Sequence, residues 1–513
     1  MLWLALHLPL LSLEAFCATL DEALRQRPVA LIADHHVQSV NRAAAERGIQ
    51  PGAKRATALA LAGELLVAEA DPARDAAALR AVVFAALAFT PSVSGHDANT
   101  VLLEVQASLR LFGGLATLQQ RLRDALAPLG HRVQMAAAPT ALGAALLAQW
   151  APRDRGDLVL GPHATQPPTL QALLDQAPVW LLGPGREHWD ALQGMGLHTL
   201  SDLRALPRSG LARRFGAGLL DDLDRALGQQ PDPRRWLALP AAFDSRLELY
   251  ARAESTEQVL HGASVLLARL VAWAQAQRAR VGAFTLCMRH ERQRQAVVPA
   301  TELHVALAEP ALDAAHLQLL LRERLARVTL AAPTLELQLR CSQLVAGAAP
   351  NGELFPYRAS EAEGLVRLLE RLRARLGDAQ VQHLLPVADH RPECASRLVP
   401  AQGAVAQPAP ASAAAAALAA ACVTATLPLH RPAWLLPEPL PLAERAALPL
   451  LEGRPLQLVS GPERIETGWW DGAPAARDYY IAQATDGSLV WIYCGRLNTA
   501  PGEVNWFLQG RFA

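Results

Sequence analysis

The segment that decides the fold is WLLGPGREHWDALQGMGLHTLSDLRALP, at residues 180–207. Its apolar spacing predicts two helices, and the LGPG stretch near its start predicts the tight turn that joins them. This pattern is typical of a helix-hairpin-helix, whose turn, here at Gly183 and Gly185, presents backbone N–H groups to a phosphate without reading base sequence. An ordinary helical turn that uses glycine for its backbone freedom is the alternative. The nearby Arg213 and Arg214 favour contact with DNA.

Strand-like and helix-like segments alternate on the amino-terminal side of this segment. Residues 2–8 and RPVALIA (27–33) have the composition of strands, and residues 73–88 have that of a helix. Two further strands are expected around the polar turn of SVSGHDANTVLLEV, at 92–105. Alternation of this kind predicts a sheet that is covered by helices.

On the carboxy-terminal side of this segment, the sequence pattern changes twice, which separates three regions. Strand-like segments between residues 238 and 345 are separated by helical stretches at 256–277 and 312–326, which predicts an α+β unit. Residues 400–433 are rich in alanine, proline and glutamine and are expected to form a linker. Residues 434–513 contain short strand-like segments that are dense in aromatic side chains.

The composition excludes several classes of protein. The chain has 513 residues, with 48 basic and 48 acidic side chains and 51% hydrophobic residues. It is long enough for roughly three to four domains, and wholesale disorder is excluded. The balanced charge excludes a surface that is basic throughout, but it leaves room for a local basic groove. The six cysteines are never spaced as CxxC, so neither a structural zinc site nor a disulfide framework is expected.

A second group of arginines occupies QRARVGAFTLCMRHERQRQ, at residues 277–295. Two arginine-bearing strand ends that lie side by side would place a positive strip, which includes Arg280 and Arg289, along a nucleic-acid backbone. The alternative is an ordinary solvated face of a sheet.

The order of these parts resembles the Y-family translesion DNA polymerases. The resemblance covers about residues 1–345 and is clearest in RPVALIA, the AERGIQPGA hinge, the APTALGAALLA helix and LLGPG…GMGLHTLSDL. It implies a multidomain α+β fold with right-hand-like Y-family polymerase architecture. The expected parts are a UmuC-like palm with fingers at 1–165, a helix-hairpin-helix thumb at 166–236, and an α+β little-finger-like DNA-binding domain at 237–348.

A further resemblance lies beyond residue 345. LVRLLERLRARLGDAQV…DHRPE and GPERIETGWWDG…RDYY…NWFLQGRFA are similar to the carboxy-terminal region of noncanonical Y-family members that belong to bacterial mutasomes. The expected parts are a clamp motif with a helix at 349–399, an Ala/Pro-rich linker at 400–433, and a small β-rich partner-binding region at 434–513.

The carboxylates that Y-family catalysis needs are missing at the positions that the resemblance implies. Two metal ions must be held about 3.5–4 Å apart. The first set of carboxylates falls on HLPLLS, at residues 7–12, which contains none. The second pair falls on Asn99 and Thr100, or in the other register on Ser94 and Gly95.

We therefore expect an inactive homologue, without catalytic residues, metal ligands or a cofactor. The alternative is an active Y-family translesion polymerase whose metal ligands have moved. Its carboxylates would come from Asp97 and Glu104, together with Glu14 or Asp34. The missing carboxylates on the first strand favour the inactive homologue.

Two elements are candidates for partner binding. NGELFP, at 351–356, ends in the apolar pair Leu354 and Phe355 that bacterial sliding-clamp ligands insert into a pocket, although the usual leading glutamine is absent. Its alternative role is a local packing anchor. Aromatic residues of the carboxy-terminal region are the second candidate, either as an interface hot spot or as the core of that region. They are Trp469, Trp470, Trp506 and Phe507.

These features together predict a scaffold for error-prone translesion synthesis in the SOS response to DNA damage. By resemblance, it would bind damaged or primer–template DNA and recruit the sliding clamp, an error-prone DnaE-type polymerase and a RecA-like mutasome protein. The segment MLWLALHLPLLSL at the start lacks the basic residues of a signal peptide, so a cytoplasmic protein without membrane contact is expected.

Overall fold

The structure is a computed structural model, which describes residues 1–150, 158–160, 163, 165–292, 298–347, 358–401, 431–432, 434–446, 448–496 and 505–512. It contains two compact units, Met1–Arg375 and Leu376–Ala513.

The amino-terminal unit begins with a five-stranded sheet. Its strands are β1 (Trp3–His7), β5 (Val93–Asp97), β6 (Thr100–Glu104), β7 (Val133–Ala138) and β8 (Leu158–Leu160). Their order is β5–β6–β1–β7–β8, and only β7 and β8 are parallel. All five residues of β1 are buried, because this central strand is covered on both faces. The helices of this part are α1 (Leu11–Cys17), α2 (Glu22–Arg25), α5 (Pro72–Leu87), α6 (Leu109–Phe112), α7 (Leu115–Leu126) and α8 (Ala141–Gln149).

A smaller three-stranded sheet is inserted between α2 and α5. Its strands are β2 (Val29–Ala33), β3 (His36–Val40) and β4 (Leu66–Glu69), in the order β3–β2–β4. Its helices are α3 (Arg42–Glu46) and α4 (Arg55–Leu61). The side chain of Asp71 caps α5 by accepting the N–H groups of Ala73 and Arg74. The helix therefore begins at Pro72, directly after this N-cap residue.

A helical region follows the five-stranded sheet. Its helices are α9 (Pro167–Asp175), α10 (Gly183–Glu187), α11 (Trp189–Gly194), α12 (Leu200–Ala205), α13 (Arg208–Phe215) and α14 (Gly218–Leu227). A capping box starts α12, in which Thr199 and Asp202 each accept a backbone N–H of the other. Leucines from these short helices and alanines from α8 share one buried core.

An antiparallel sheet packed against helices completes the amino-terminal unit. The strands are β9 (Asp244–Ala253), β10 (Ala279–His290), β11 (Thr301–Ala311) and β12 (Thr334–Ala346), in the order β11–β10–β12–β9. The helices are α15 (Thr256–Ala276), α16 (Ala314–Leu325) and α17 (Arg358–Leu376). Within the described part of the chain, only α15 is long and apolar enough to cross a membrane. It is the core helix of this sheet, with 61% of its apolar stretch buried.

The carboxy-terminal unit consists mainly of strands. A hairpin is formed by β13 (Gln382–Pro386) and β14 (Ser396–Pro400). A seven-stranded sheet follows in the order β17–β16–β15–β21–β20–β19–β18. Its strands are β15 (Trp434–Arg445), β16 (Leu448–Leu451), β17 (Arg454–Pro455), β18 (Gln457–Thr467), β19 (Ala475–Gln483), β20 (Leu489–Gly495) and β21 (Trp506–Arg511). The expected fold class, α+β with a β-rich carboxy-terminal region, is confirmed.

Candidate functional site

A buried polar pair closes the end of β1. His7 and Thr100 are partners in the register of β1 and β6, and His7 Nδ1 lies 2.9 Å from Thr100 Oγ1. The side chains are 9% and 0% exposed, respectively. Gln134, the partner of His7 on β7, is also buried. The position at which the resemblance implies metal-binding carboxylates therefore holds an imidazole and a hydroxyl that interact with each other.

Asp97 lies at the exposed hairpin beside this pair. Its carboxylate accepts the N–H of Asn99 at 3.0 Å and the side-chain N–H of Gln149 at 3.1 Å. The carbonyl of Asn99 accepts the N–H of Leu8 at 2.8 Å, which ties the hairpin to the end of β1. Asp97 thus serves the turn and a neighbouring helix.

The other carboxylates of the relocated-site hypothesis do not join Asp97. Glu104 lies at the far end of the five-residue strand β6, about 13 Å along the strand from the end that faces His7. The carboxylate of Glu14 accepts the backbone N–H of Arg132 at 3.0 and 3.1 Å. Asp34 occupies the turn between β2 and β3, with φ of 49°. Within the described residues, no group of three or more His, Cys, Asp or Glu side chains is placed to hold a metal ion.

The two glycines of the predicted hairpin have different surroundings. Gly183 is exposed at the start of α10, and a Cβ at this position would meet no atom within 4 Å. Gly185 is buried, and a Cβ there would overlap the carbonyl oxygen of Val179. Packing therefore requires a glycine at position 185, whereas the backbone at Gly183 is accessible to a ligand.

The structure brings the arginines of α13 close to this hairpin. Arg213 and Arg214 are exposed, and neither forms an ion pair with a described carboxylate. The guanidinium of Arg214 lies 5.6 Å from the ring centre of Phe215. Phe215 in turn contacts the ring of His188, which joins α10 to α11, at 5.4 Å. Through Phe215 and His188, α13 packs against the residues that follow the hairpin turn.

Arg280 and Arg289 do not form the strip that the sequence suggested. They lie near opposite ends of the single strand β10, nine residues and about 30 Å apart. Arg289 Nη1 is 3.5 Å from a carboxylate oxygen of Glu336, and Arg280 is half-buried. The apolar residues between them belong to the same strand. The two charges are therefore far apart and do not lie side by side.

Trp469 and Trp470 are displayed on a turn between β18 and β19. They are 74% and 57% exposed, and their rings meet edge to face with centres 4.7 Å apart. Exposed aromatic pairs of this kind are typical of interface hot spots.

The other two aromatics of the predicted interface contribute to the core of the sheet. Trp506 is 9% exposed and contacts the ring of Tyr480 at 5.4 Å. Phe507 is half-buried and stacks on Tyr493 with ring centres 5.1 Å apart. Their burial leaves little ring surface for a partner. Leu354 and Phe355, the predicted clamp contacts, lie outside the described residues.

A buried arginine that the sequence analysis missed holds the tryptophan turn. Arg391 Nη1 lies 3.2 Å from a carboxylate oxygen of Asp471 and 3.1 Å from the carbonyl oxygen of Ala473, and Nη2 lies 2.7 Å from Asp389. Hydrogen bonds from Arg391 hold the pKa values of Asp389 and Asp471 below their usual range. Gly468 has φ of 82°, and a Cβ there would overlap the carbonyl of Ala473. The DHRPE motif carries Arg391, but its partners are too distant in sequence to be recognised.

Known proteins are similar to this chain in sequence. The model of the impB/mucB/samB (IMS) family matches residues 11–149. Protein ImuB from two strains of Caulobacter vibrioides is 28% identical over 483 residues, which cover 91% of this chain and 100% of that protein. The chain is ImuB-like over 91% of its length, and its residues 11–149 match the IMS family.

Solved structures also align with the ImuB-like chain. A ternary complex of Dbh has a TM-score of 0.37 and 14% identity, and DinB from Sulfolobus solfataricus has a TM-score of 0.35 and 16% identity. Each match covers 68% of this chain and 100% of the other. At these TM-scores the likeness adds nothing to the family assignment.

The residues at the end of β1 do not fit the metal ions that the Y family uses. Two-metal phosphoryl transfer needs several carboxylate oxygens that converge on both ions. In the ImuB-like chain, His7 and Thr100 interact with each other, and Asp97 is the nearest described carboxylate on the adjoining hairpin. The described residues at this strand end therefore do not form a two-metal site.

Proposed function

We propose that this chain is a non-catalytic scaffold of an error-prone translesion synthesis complex. The observation that carries the proposal is the buried His7–Thr100 pair at the end of β1. Carboxylates bind divalent cations because they bring negative charge and oxygen ligands. An imidazole and a hydroxyl that interact at 2.9 Å preserve the packing of the strand end but supply no negative charge.

The amino-terminal unit would hold primer–template DNA without extending it. In this proposal, residues 1–165 act as palm and fingers, 166–236 as thumb and 237–348 as little finger. The thumb contacts are the accessible backbone at Gly183 and the exposed side chains Arg213 and Arg214. Arginines on one surface attract phosphates irrespective of base sequence, as a scaffold for varied lesions requires.

The little-finger-like domain would make weaker contacts with DNA. Arg280 and Arg289 lie near the two ends of β10, and Glu336 partly neutralises Arg289. Gly185 supports the thumb hairpin through close packing.

The carboxy-terminal region would recruit the proteins that replicate past the lesion. We assign the error-prone DnaE-type polymerase and the RecA-like ImuA protein to residues 434–513, with the exposed Trp469–Trp470 pair as the main anchor. The sliding clamp would bind Leu354 and Phe355. A scaffold of this kind acts by raising the local concentration of the catalytic polymerase at the damaged primer end.

Primer extension by the purified chain tests the proposal. The assay uses undamaged and abasic templates with Mg²⁺ and then with Mn²⁺, and a gel shift on the same sample measures DNA binding. We expect bound DNA and no incorporation.

The active-polymerase alternative makes the opposite prediction. Incorporation that Asp97→Ala or Glu104→Ala abolishes would establish relocated metal ligands and refute the scaffold proposal. Arg110→Gln, which alters an exposed side chain of α6, is the matched control.

The clamp assignment has its own test. Leu354→Ala combined with Phe355→Ala is expected to remove retention on immobilised sliding clamp while DNA binding is unchanged. Unchanged retention would show that this segment is not the clamp ligand.

A further inference from the structure

A cavity of about 790 Å³ lies between α5 and β9, within the amino-terminal unit. Two causes for it are visible in the sequence and the topology. Ala73 and Ala77 on α5 line the cavity with small side chains. In addition, β9 is the edge strand of its sheet, so no further strand fills the space. Neither His7 nor Thr100 lines the cavity, which is separate from the end of β1.

Arg269 and Arg80 line this cavity, and neither has an acidic partner among the described residues. Arg269 is 5% exposed, and its Nη1 donates to Ser245 Oγ at 3.2 Å and to the carbonyl oxygen of Arg246 at 3.4 Å, both of which are neutral groups. Arg80 is exposed on α5. Neither guanidinium forms an ion pair with a carboxylate in the part of the chain that the structure describes.

The electrostatic environment of Arg269 favours the binding of an anion. Burial, and to a smaller extent the charge of Arg80, lower the pKa of Arg269 to about 10. A buried charge without a counter-ion is costly, and a like charge nearby adds to this cost. An anion between Arg80 and Arg269 would relieve both effects.

The carboxylates that line the cavity do not supply this anion. Asp71 caps α5, Asp244 accepts a side-chain amide at 2.8 Å, and Glu336 pairs with Arg289. Glu248 is exposed to solvent on β9. Three of the four acidic side chains of the lining are thus engaged elsewhere, and none pairs with Arg269.

An exposed aromatic ring forms another part of the wall. Tyr250 is 48% exposed and is held edge to face against Phe16, with ring centres 5.2 Å apart. The guanidinium of Arg74 lies 5.3 Å from the centre of the Phe16 ring on the same wall. An aromatic ring beside arginines is a combination that suits a base and its phosphates.

We propose that this cavity binds a phosphate-bearing small molecule, with Arg80 and Arg269 as the phosphate ligands. The volume lies within the range of about 300–1,000 Å³ that is usual for small-molecule pockets, and it is sufficient for a nucleotide. The same phosphate chemistry is present in an inorganic polyphosphate, so the two sources are separated by experiment. The proposal is independent of the scaffold function.

Isothermal titration calorimetry of the full chain with inorganic pyrophosphate and with ATP tests the site. We expect Arg80→Gln to weaken the binding of both by about tenfold or more, because a charge-assisted hydrogen bond is lost. Arg110→Gln, an exposed arginine on α6, is expected to have no effect. Tighter binding of ATP that Tyr250→Ala removes identifies a nucleotide. Equal binding of both probes identifies an inorganic polyphosphate.

A second variant guards against effects on folding. Ala77→Met fills the cavity from α5 and is expected to abolish binding of both probes, while circular dichroism confirms the folded state. The proposal is overturned if neither probe binds the native chain at millimolar concentration, or if Arg80→Gln and Ala77→Met both leave affinity unchanged. It is also overturned if Arg110→Gln weakens binding as much as Arg80→Gln does.

Discussion

The end of β1 buries the side chains that distinguish it, whereas the turn between β18 and β19 exposes two tryptophans to solvent. At the end of β1, His7 and Thr100 direct their polar atoms toward each other and are buried. At the turn, the buried Arg391 binds the backbone from inside, and Trp469 and Trp470 face solvent.

The difference separates two uses of a buried polar network. The pair at the end of β1 is buried between neighbouring strands, so its polar atoms serve the packing of the sheet. The hydrogen bonds of Arg391 fix the turn. The two indole rings therefore have little conformational freedom left to lose when a partner binds. We interpret the first as a polymerase site converted to core and the second as a supported interface.

The strongest challenge to the first interpretation is Thr100→Glu. We expect the free energy of unfolding at pH 7 to fall by about 3–5 kcal/mol, because a larger, ionisable side chain replaces a threonine that is fully buried. Burial raises the pKa of the introduced glutamate in the folded state above its value in the unfolded state. The free energy of unfolding therefore decreases as the pH rises from the unfolded-state pKa to the folded-state pKa. Urea denaturation at pH 4.5 and pH 7 measures both effects.

Asp97→Asn is the matched control for this variant, because Asp97 is exposed on the adjoining hairpin. We expect it to change stability by less than about 0.5 kcal/mol. Recovery of the lost stability of Thr100→Glu on addition of Mn²⁺ would show that a metal-binding environment persists there, against our interpretation.

Removal of the indole pair tests the second interpretation. Trp469→Ala with Trp470→Ala is expected to weaken binding of the DnaE-type polymerase by about 30-fold or more, as hot-spot aromatics do. Stability is expected to be unchanged, because both rings are exposed. Titration calorimetry and thermal unfolding measure the two quantities. Trp434→Ala removes another exposed ring, 72% accessible, and an equal loss of affinity in that control would refute the assignment.

The support that Arg391 gives to the turn has a pH signature. Arg391→Met is expected to weaken partner binding by about three- to tenfold, because the indoles become mobile. The depressed pKa values of Asp389 and Asp471 stabilise the folded state above their unfolded pKa of about 3.9, and this stabilisation is lost as the pH falls. The urea midpoints of variant and native chains should therefore converge below that pH. A constant difference from pH 7 to pH 3 would contradict the role of the ion pairs.

The smallest effect concerns DNA, which the proposal assigns to the amino-terminal unit. Arg213→Gln with Arg214→Gln should weaken binding and reduce the slope of log affinity against log salt by about two, since each phosphate contact contributes about 0.9. Fluorescence anisotropy at several salt concentrations measures this slope. Arg289→Gln should change it by less, because Glu336 already pairs with Arg289. A larger change in slope for Arg289→Gln than for the Arg213 and Arg214 variant would indicate that DNA binds at β10 and not at α13.

Much of the fold follows from local patterns. The strands expected at 2–8 and 27–33 and the helix expected at 73–88 are confirmed, because each is a predominantly apolar run of a length that suits its element. Strands β3 and β4 and the hairpin of β13 and β14 were missed. β3 alternates poorly, with one fully buried residue in HVQSV, so only its pairing with β2 makes it a strand. Arg280 and Arg289 were placed side by side for a related reason, since a local pattern does not show how far a strand continues.

The sequence by itself determined that the first strand carries no carboxylate and that the chain resembles the Y family, because both depend on residue identity and order. It also indicated Trp469 and Trp470 as candidate interface residues. The tertiary structure decided which residues meet at the end of β1 and which residues support the tryptophan turn. His7 meets Thr100 across 93 residues, and Arg391 meets Asp471 across 80. Contacts of this range are set by strand register and chain topology, which local periodicity does not encode.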